Sequence, residues 1–269
     1  MRKIPEAEYR ALPDVSQSSL KRLLEVSPQQ WQYEQIVGTD ETPAMMTGTM
    51  AHEIALEGTK SFLNRYAIDD WPQREKGNRR GNSKAYQEFK KELQESGKPL
   101  VKYEDVLHSE RLAEAIHREW SPILAVEGTP EISVDNQILH RTVKSKGLID
   151  FYPKDLPLIV DLKTTATPLD DRAMRKKLIY EGWGFQAAYY RDLVYADTGE
   201  ERLFVFLVIN TQNFQTRKIV VPHDCELIEF FREEYRRAID IYADCLKENK
   251  WPGYSNFEAD KLILPNRSE

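Results

Sequence analysis

The chain has 269 residues, 41% of them hydrophobic and 30% charged, which is the composition of a folded domain and excludes a disordered or fibrous class. No apolar run approaches the roughly 18 residues of a membrane span, the opening Met1-Arg2-Lys3-Ile4-Pro5-Glu6 lacks the apolar stretch of a signal peptide, and Cys225 and Cys245 alone cannot build a disulfide scaffold or a cysteine-held cluster. The cytoplasm is therefore the expected location, and a net charge of −6 leaves nucleic acid open as a partner, since a binding groove needs only local positive charge.

A helical pattern opens at Val15-Ser16-Gln17-Ser18-Ser19-Leu20, with Ser16 or Ser18 as N-cap and Leu20, Leu23 and Leu24 as its apolar stripe. Ser27-Pro28 restarts a helix that carries Trp31. From Met45 to Glu57, spacing places Met45, Thr49, His52 and Leu56 on one side of a helix, and Gly48 and Ala51 leave room for a close neighbour. A basic stretch follows, with Arg74, Lys76, Arg79, Arg80, Lys84, Lys90 and Lys91 among Gly and Asn turn formers. A solvated loop and an arm that grips phosphates both fit it. Tyr103 to Trp120 reads as a helix that Pro122 ends.

The core is expected between Thr129 and Val221. Pro130 to Val134 reads as its first strand, Ile138 to Phe151 as its second and Leu158 to Thr164 as its third. Lys144 and Lys146 are either phosphate-facing or ordinary edge-strand lysines. A helix bearing Arg172, Arg175, Lys176 and Lys177 forms a second basic patch. The next helix places Gln186 and Tyr190 on one face, with Tyr189 directed to the core. Leu203 to Ile209 is a strand buried on both faces, Phe214 to Val221 pairs with it, and a long helix runs from about Asp224 to Glu248. Trp251 onward is an irregular tail packed by its aromatics.

The chemistry concentrates in Gly147-Leu148-Ile149-Asp150-Phe151 and Leu158-Ile159-Val160-Asp161-Leu162-Lys163, two strands joined by a turn rich in proline. Alternation puts Ile159, Asp161 and Lys163 on one face, and Asp150 can meet Asp161 across the ladder. A core strand seldom carries Asp and Lys in this way, because burying charge is costly unless the charge is paired or bound to metal. Two carboxylates and an ammonium group suit a hard cation and a water nucleophile.

Four ordered signals, Gly48-x-x-x-His52, Gly147-x-x-Asp150, Asp161-x-Lys163 and Gln186-x-x-x-Tyr190, resemble the PD-(D/E)XK nuclease superfamily in its RecB-like branch. The likeness is greatest to the exonuclease VIII (RecE-type) exodeoxyribonucleases of phages and prophages, and covers roughly residues 15–250. The element order, together with this resemblance, implies one α/β domain: a central mixed β-sheet flanked by helices, restriction-endonuclease-like, with a helical N-terminal part (1–128), the core (129–250) and a tail (251–269). The resemblance further implies that His52, Asp150, Asp161 and the Leu162 carbonyl hold Mg²⁺ or Mn²⁺, with Glu131 a further candidate ligand. Lys163 would orient or deprotonate the attacking water, and Gln186 and Tyr190 would serve the active site or the DNA. Ser18 and Lys21 are candidates for a 5′-phosphate, set against a plain packing role. The DNA-contact candidates are Arg74, Lys76, Arg79, Arg80 and Lys84 in the first basic stretch and Arg172, Arg175 and Lys176 in the second.

The same resemblance implies 5′-to-3′ digestion of double-stranded DNA ends to 5′-mononucleotides, 3′ single strands left for recombination, a ring-shaped homo-oligomer and a single-strand annealing partner. ATP is not expected, because no phosphate-binding GxxxxGK[ST] loop is present. An iron–sulfur cluster is not expected either, because the branch that carries one needs four cysteines. The rival readings are an endonuclease or single-strand-specific nuclease of the same superfamily, and a non-catalytic DNA-binding protein on this fold.

Overall fold

The structure is a computed structural model that describes residues 1–38, 42–70 and 84–255. In chain order the described elements are α1 (Glu6–Ala11), β1 (Val15–Ser16), α2 (Gln17–Glu25), α3 (Pro28–Val37), α4 (Pro43–Glu57), α5 (Thr59–Arg65), β2 (Ala67–Asp69), α6 (Lys84–Glu95), β3 (Leu100–Lys102), α7 (Tyr103–Leu124), β4 (Gly128–His140), β5 (Val143–Pro153) and β6 (Leu158–Thr165). They continue with α8 (Asp171–Tyr180), α9 (Trp183–Thr198), β7 (Leu203–Asn210), β8 (Thr216–Val221) and α10 (Glu226–Glu248).

The sheet is mixed. β7 runs parallel to β6 and antiparallel to β8, and the parallel β6–β7 step is made by the helical crossover α8–α9, as a parallel connection requires. Because β7 has a neighbour on each side and helices over both faces, its apolar run divides cleanly. Phe204, Phe206 and Val208 pack toward α9, α10 and α2, while Val205, Leu207 and Ile209 pack toward α4 and α7. The two layers enclose the sheet in a single α/β domain flanked by helices, as expected from the element order.

β4 pairs with β5 along nearly all its length. The other edge of β5 is shared. β1 lies parallel to it at Ser145 and Lys146, whereas β6 meets it in antiparallel register only at Phe151↔Val160. Residues 147–150 therefore face a wedge between two strands instead of a continuous ladder. Tyr189 holds the upper lip of this wedge: its buried hydroxyl lies 2.9 Å from the Val15 carbonyl and 3.0 Å from that of Lys146, with one proton to serve either.

Several local expectations are corrected. The β4–β5 turn falls at Arg141-Thr142, not before Ile138, because Arg141 adopts the left-handed conformation (φ 53°). Asn136 (φ 61°) marks a bulge within β4 instead of ending it. Val15 and Ser16 are strand, and the helix begins at Gln17 with Ser16 as a reciprocal capping box with Ser19. The helix that starts at Tyr103 is interrupted at Trp120 (φ −119°, ψ 17°), two residues before Pro122, as expected, and a further short helical stretch carries α7 on to Leu124. In α4 the buried side is Met50, Ala51, Ile54 and Ala55, leaving Met45 exposed, because the small residues are what let this helix approach the sheet. β2 and β3 form a separate parallel pair that no periodicity in the sequence announces. The tail opens on Trp251, which stacks on Trp31 at 5.3 Å.

Candidate active site

Gly48 explains how His52 reaches the sheet. A Cβ at Gly48 would meet Thr164 Oγ1 at 3.0 Å, so the glycine allows α4 to lie against the end of β6. One turn later His52 projects over the strands, with Nδ1 3.5 Å from Asp150 Oδ2. Gly147 does the same for α9: a Cβ there would lie 2.7 Å from Leu193 Cδ2 and 2.9 Å from Tyr190 Cε1. The two glycines of the sequence motifs are thus the two points where helices touch the sheet beside the wedge.

Register places Asp150 opposite Asp161, one step beyond the Phe151↔Val160 pair. The Asp150 carboxylate accepts a 2.8 Å hydrogen bond from the Leu162 backbone N–H, taking the place a ladder partner would hold. Asp161 is 3% exposed. Lys163 Nζ stands 2.7 Å from its Oδ1, an ion pair lacking the angular alignment of a hydrogen bond. The Gln186 side-chain amide donates to its Oδ2. Hence Asp150, Asp161, Lys163, His52 and Gln186 meet at one place. Tyr190, one turn past Gln186, packs against Gly147 and lines a cleft of about 530 Å³ that also reaches Ser16, Ser18 and Lys146.

Electrostatics set the character of the site. Burial pushes the Asp161 carboxyl up to about 6, opposed by Lys163 and reinforced by Asp150. Burial also raises Asp150, against the pull of Lys163 and of the Leu162 N–H. The His52 imidazole is driven down to about 4 by burial, with Asp161 opposing and Lys163 assisting. It is therefore neutral near pH 7 and retains a lone pair.

These donors suit a divalent cation. Two enclosed carboxylates whose charged forms are disfavoured by burial gain from a nearby positive charge, and oxygen donors with one imidazole fit Mn²⁺ or Mg²⁺. Among the described residues no three Asp, Glu, His or Cys side chains are already arranged to hold a metal ion. The fit thus rests on donor chemistry.

The remaining candidates are placed as follows. Glu131 is partly buried on β4 beside Asp150 in a left-handed conformation (φ 50°), and burial raises its carboxyl. Its left-handed backbone falls between two in-register pairs of β4 and β5, and the sequence did not announce it. Arg74, Lys76, Arg79 and Arg80 lie outside the described residues. Lys84 begins α6, exposed and loosely paired with Glu88 at 3.8 Å. Arg172, Arg175 and Lys176 lie on the exposed side of α8. Ser18 is exposed near the Ser16 cap, their hydroxyls 3.1 Å apart. Lys21 pairs with Glu25 at 2.8 Å and lays its stem over Gly182 at the start of α9.

Lys146 is corrected. Its ammonium is turned inward onto the end of α1, donating to the carbonyls of Leu12 (2.6 Å), Tyr9 (3.0 Å) and Arg10 (3.4 Å). It caps a helix and does not face phosphates. Arg202, unremarked in the sequence, organises the β5–β6 turn by donating to the carbonyls of Pro153, Leu156 and Leu158 and stacking on Tyr152 at 3.9 Å.

The family described as a PDDEXK-like domain of unknown function matches residues 16–260. A crystal structure of a protein from Eubacterium rectale, described as a candidate exonuclease, superposes over 97% of this chain and 98% of its own with a TM-score of 0.59. At 17% identity that likeness speaks for the fold. The solved structure of SSO0001 covers 73% of this chain and 86% of its own at 15% identity and a TM-score of 0.32, too distant to carry an argument. No curated protein matches the sequence. No described helix is long and apolar enough to cross a membrane.

Proposed function

The chain belongs to this PDDEXK-like family, and on that premise we propose that it is a divalent-metal-dependent exodeoxyribonuclease of the exonuclease VIII (RecE-type) kind. It digests linear double-stranded DNA 5′ to 3′, releases 5′-mononucleotides and leaves 3′ single strands for recombination. The observation that carries the reading is the meeting of Asp150, Asp161 and Lys163 at the β5–β6 wedge, with His52 and Gln186 closing on them from two different helices.

Asp150, Asp161, His52 and the Leu162 carbonyl are the groups to hold Mg²⁺ or Mn²⁺. When bound, the cation offsets the negative charge that grows on the phosphate oxygens as the bond breaks. Lys163 holds the attacking water by its ammonium group and steadies the charge that develops. The water oxygen forms the new bond to phosphorus, the bond from phosphorus to the 3′ oxygen breaks, and the water proton ends on that leaving oxygen. Gln186 keeps the Asp161 carboxylate oriented through its amide, and Tyr190 lines the path of the strand. Ser18 and Lys21, at the start of α2, are set to receive the 5′-phosphate. Arg74, Lys76, Arg79, Arg80 and Lys84 would meet the DNA backbone, as would Arg172, Arg175 and Lys176. A ring-shaped homo-oligomer and a single-strand annealing partner belong to the same proposal, as does a cytoplasmic location.

The test is Mg²⁺-dependent digestion of linear duplex labelled at either its 5′ or its 3′ ends, by the wild type and Lys163→Ala. Early release of the 5′ label as mononucleotide, abolished in the variant, is expected. Cleavage of closed circular duplex would instead identify an endonuclease, and preference for single strands would reverse the substrate. Folded protein that binds DNA yet degrades none with Mg²⁺ or Mn²⁺ would leave the non-catalytic reading.

A further inference from the structure

α8 has two sides of opposite character. Met174 is buried, Ala173 and Leu178 pack on the core, and Lys177 is spent locally, reaching Glu181 at 2.7 Å and lying over the Trp183 ring at 5.6 Å. The other side carries Arg172, Arg175, Lys176, Ile179 and Tyr180, the helical spacing that keeps a stripe on one face. Two features of this stripe are unusual for a solvated helix. Tyr180 is 75% exposed and Ile179 45%, so an aromatic ring and a branched apolar side chain stand in water beside the cations. Arg172 and Arg175 make no ion pair with any described residue. The acids nearest in sequence are already engaged, Asp171 by Arg217 and Asp170 by the Ala173 backbone N–H that it caps. In a protein of net charge −6, two guanidinium groups with no ion pair among the described residues, next to an uncovered aromatic ring, form a local exception.

We infer that this face of α8 binds single-stranded DNA, with Tyr180 stacking on a base and Arg172, Arg175 and Lys176 meeting the phosphates on either side. Charge complementarity selects a polyanion, and an exposed ring beside the cations selects bases that are unpaired, since only those offer an open π face. A duplex would satisfy the cations and leave Tyr180 and Ile179 uncovered. The stripe from Arg172 to Tyr180 spans nine residues, about 12 Å of helix, enough for a few nucleotides. Position links it to the site: only Glu181 separates Tyr180 from Gly182, the N-cap of α9, and Gln186 follows one turn later with its amide on Asp161. The strand that this surface would hold is the one exposed when a duplex is digested. This link rests on the nuclease reading, although strand binding itself does not.

The experiment is fluorescence anisotropy with a labelled oligothymidylate and a blunt duplex of the same length, in EDTA, for the wild type, Tyr180→Ala, Tyr180→Phe and Arg172→Ala/Arg175→Ala. Tyr180→Ala should weaken single-strand binding roughly five- to hundredfold and change duplex binding less than about twofold, while Tyr180→Phe retains the affinity. The double arginine variant should weaken single-strand binding and flatten its salt dependence by about two contacts. Equal losses on both DNAs from Tyr180→Ala, no loss from Tyr180→Ala, or a wild type that ignores the oligothymidylate would overturn the inference. Digestion of duplex with Mg²⁺ is scored separately: hydrolysis without Tyr180-dependent strand binding rejects this surface and keeps the nuclease, and the opposite result rejects the nuclease and keeps the surface.

Discussion

Replacing Gly147 with alanine adds one methyl group at the point where α9 touches β5. Gly147 has no left-handed backbone to strain, so the added methyl acts by contact alone. It would lie 2.7 Å from Leu193 Cδ2 and 2.9 Å from Tyr190 Cε1, well inside ordinary van der Waals separation. Leu193 is fully buried, so its side chain cannot swing into solvent to make room. Overpacking of this kind costs about 1–3 kcal/mol, whereas Gly→Ala at an open, compatible position stabilises by about 0.4–1 kcal/mol through the unfolded chain. The net loss should be about 1–2 kcal/mol, or roughly 2–8 °C in Tm. Activity should fall further than stability, because α9 carries both Gln186 and Tyr190 and a shift of about 1 Å at such a site can cost on the order of a hundredfold in rate. Thermal unfolding by circular dichroism gives the first number, and duplex digestion at matched folded fraction gives the second. A stabilised Gly147→Ala would show that α9 does not approach β5 this closely, and the account of the motif glycine would fail.

Lys146→Met should cost about 1–3 kcal/mol, because the carbonyls of Tyr9, Arg10 and Leu12 lose their donor, with DNA affinity per folded molecule unchanged. A large loss of affinity without loss of stability, read by anisotropy beside a melt, would return Lys146 to the phosphate path. Glu34→Gln should lower Tm at neutral pH, since Arg22 grips Glu34 through two hydrogen bonds of 2.7 and 2.8 Å that tie α2 to α3. Arg22 first, then Gln30, hold the Glu34 carboxyl down to about 2, below its ordinary 4.5. The stabilisation is therefore complete above about 4.5 and fades as pH falls toward 2. Melts from pH 7 to pH 2 should show the gap between wild type and variant closing over that window, and a gap independent of pH would mean that the ion pair contributes nothing.

The chemistry-bearing positions were legible because strand and helix periods are local. Alternation along residues 158–163 is enough to put Asp161 and Lys163 on one face, and the antiparallel reading of a short proline-containing turn is enough to set Asp150 opposite Asp161. Likewise, i, i+4 spacing alone groups Gln186 with Tyr190. The Lys146 question could not be resolved that way. A lysine beside a strand edge has the same local pattern whether it meets solvent, phosphate or a helix end, and only the fold of α1 back onto β5 supplies the three carbonyls.

By itself, then, the sequence determined the order of strands and helices from β4 to α10, the buried course of β7 and the residue types brought to the candidate site, all consequences of hydrophobic period and turn chemistry within a few residues. Tertiary structure alone decided that β1 takes part of the edge of β5, that β6 diverges after one pair, and that Asp150 accepts from the backbone N–H of Leu162 in the resulting wedge. It also decided what Gly48 and Gly147 are for, since a glycine declares a close approach without naming its partner. The physical reason is common to all of these. Which strand occupies an edge, and which helix may come within contact of it, is a competition among segments far apart in the chain, settled by packing and hydrogen-bond satisfaction that no local window contains.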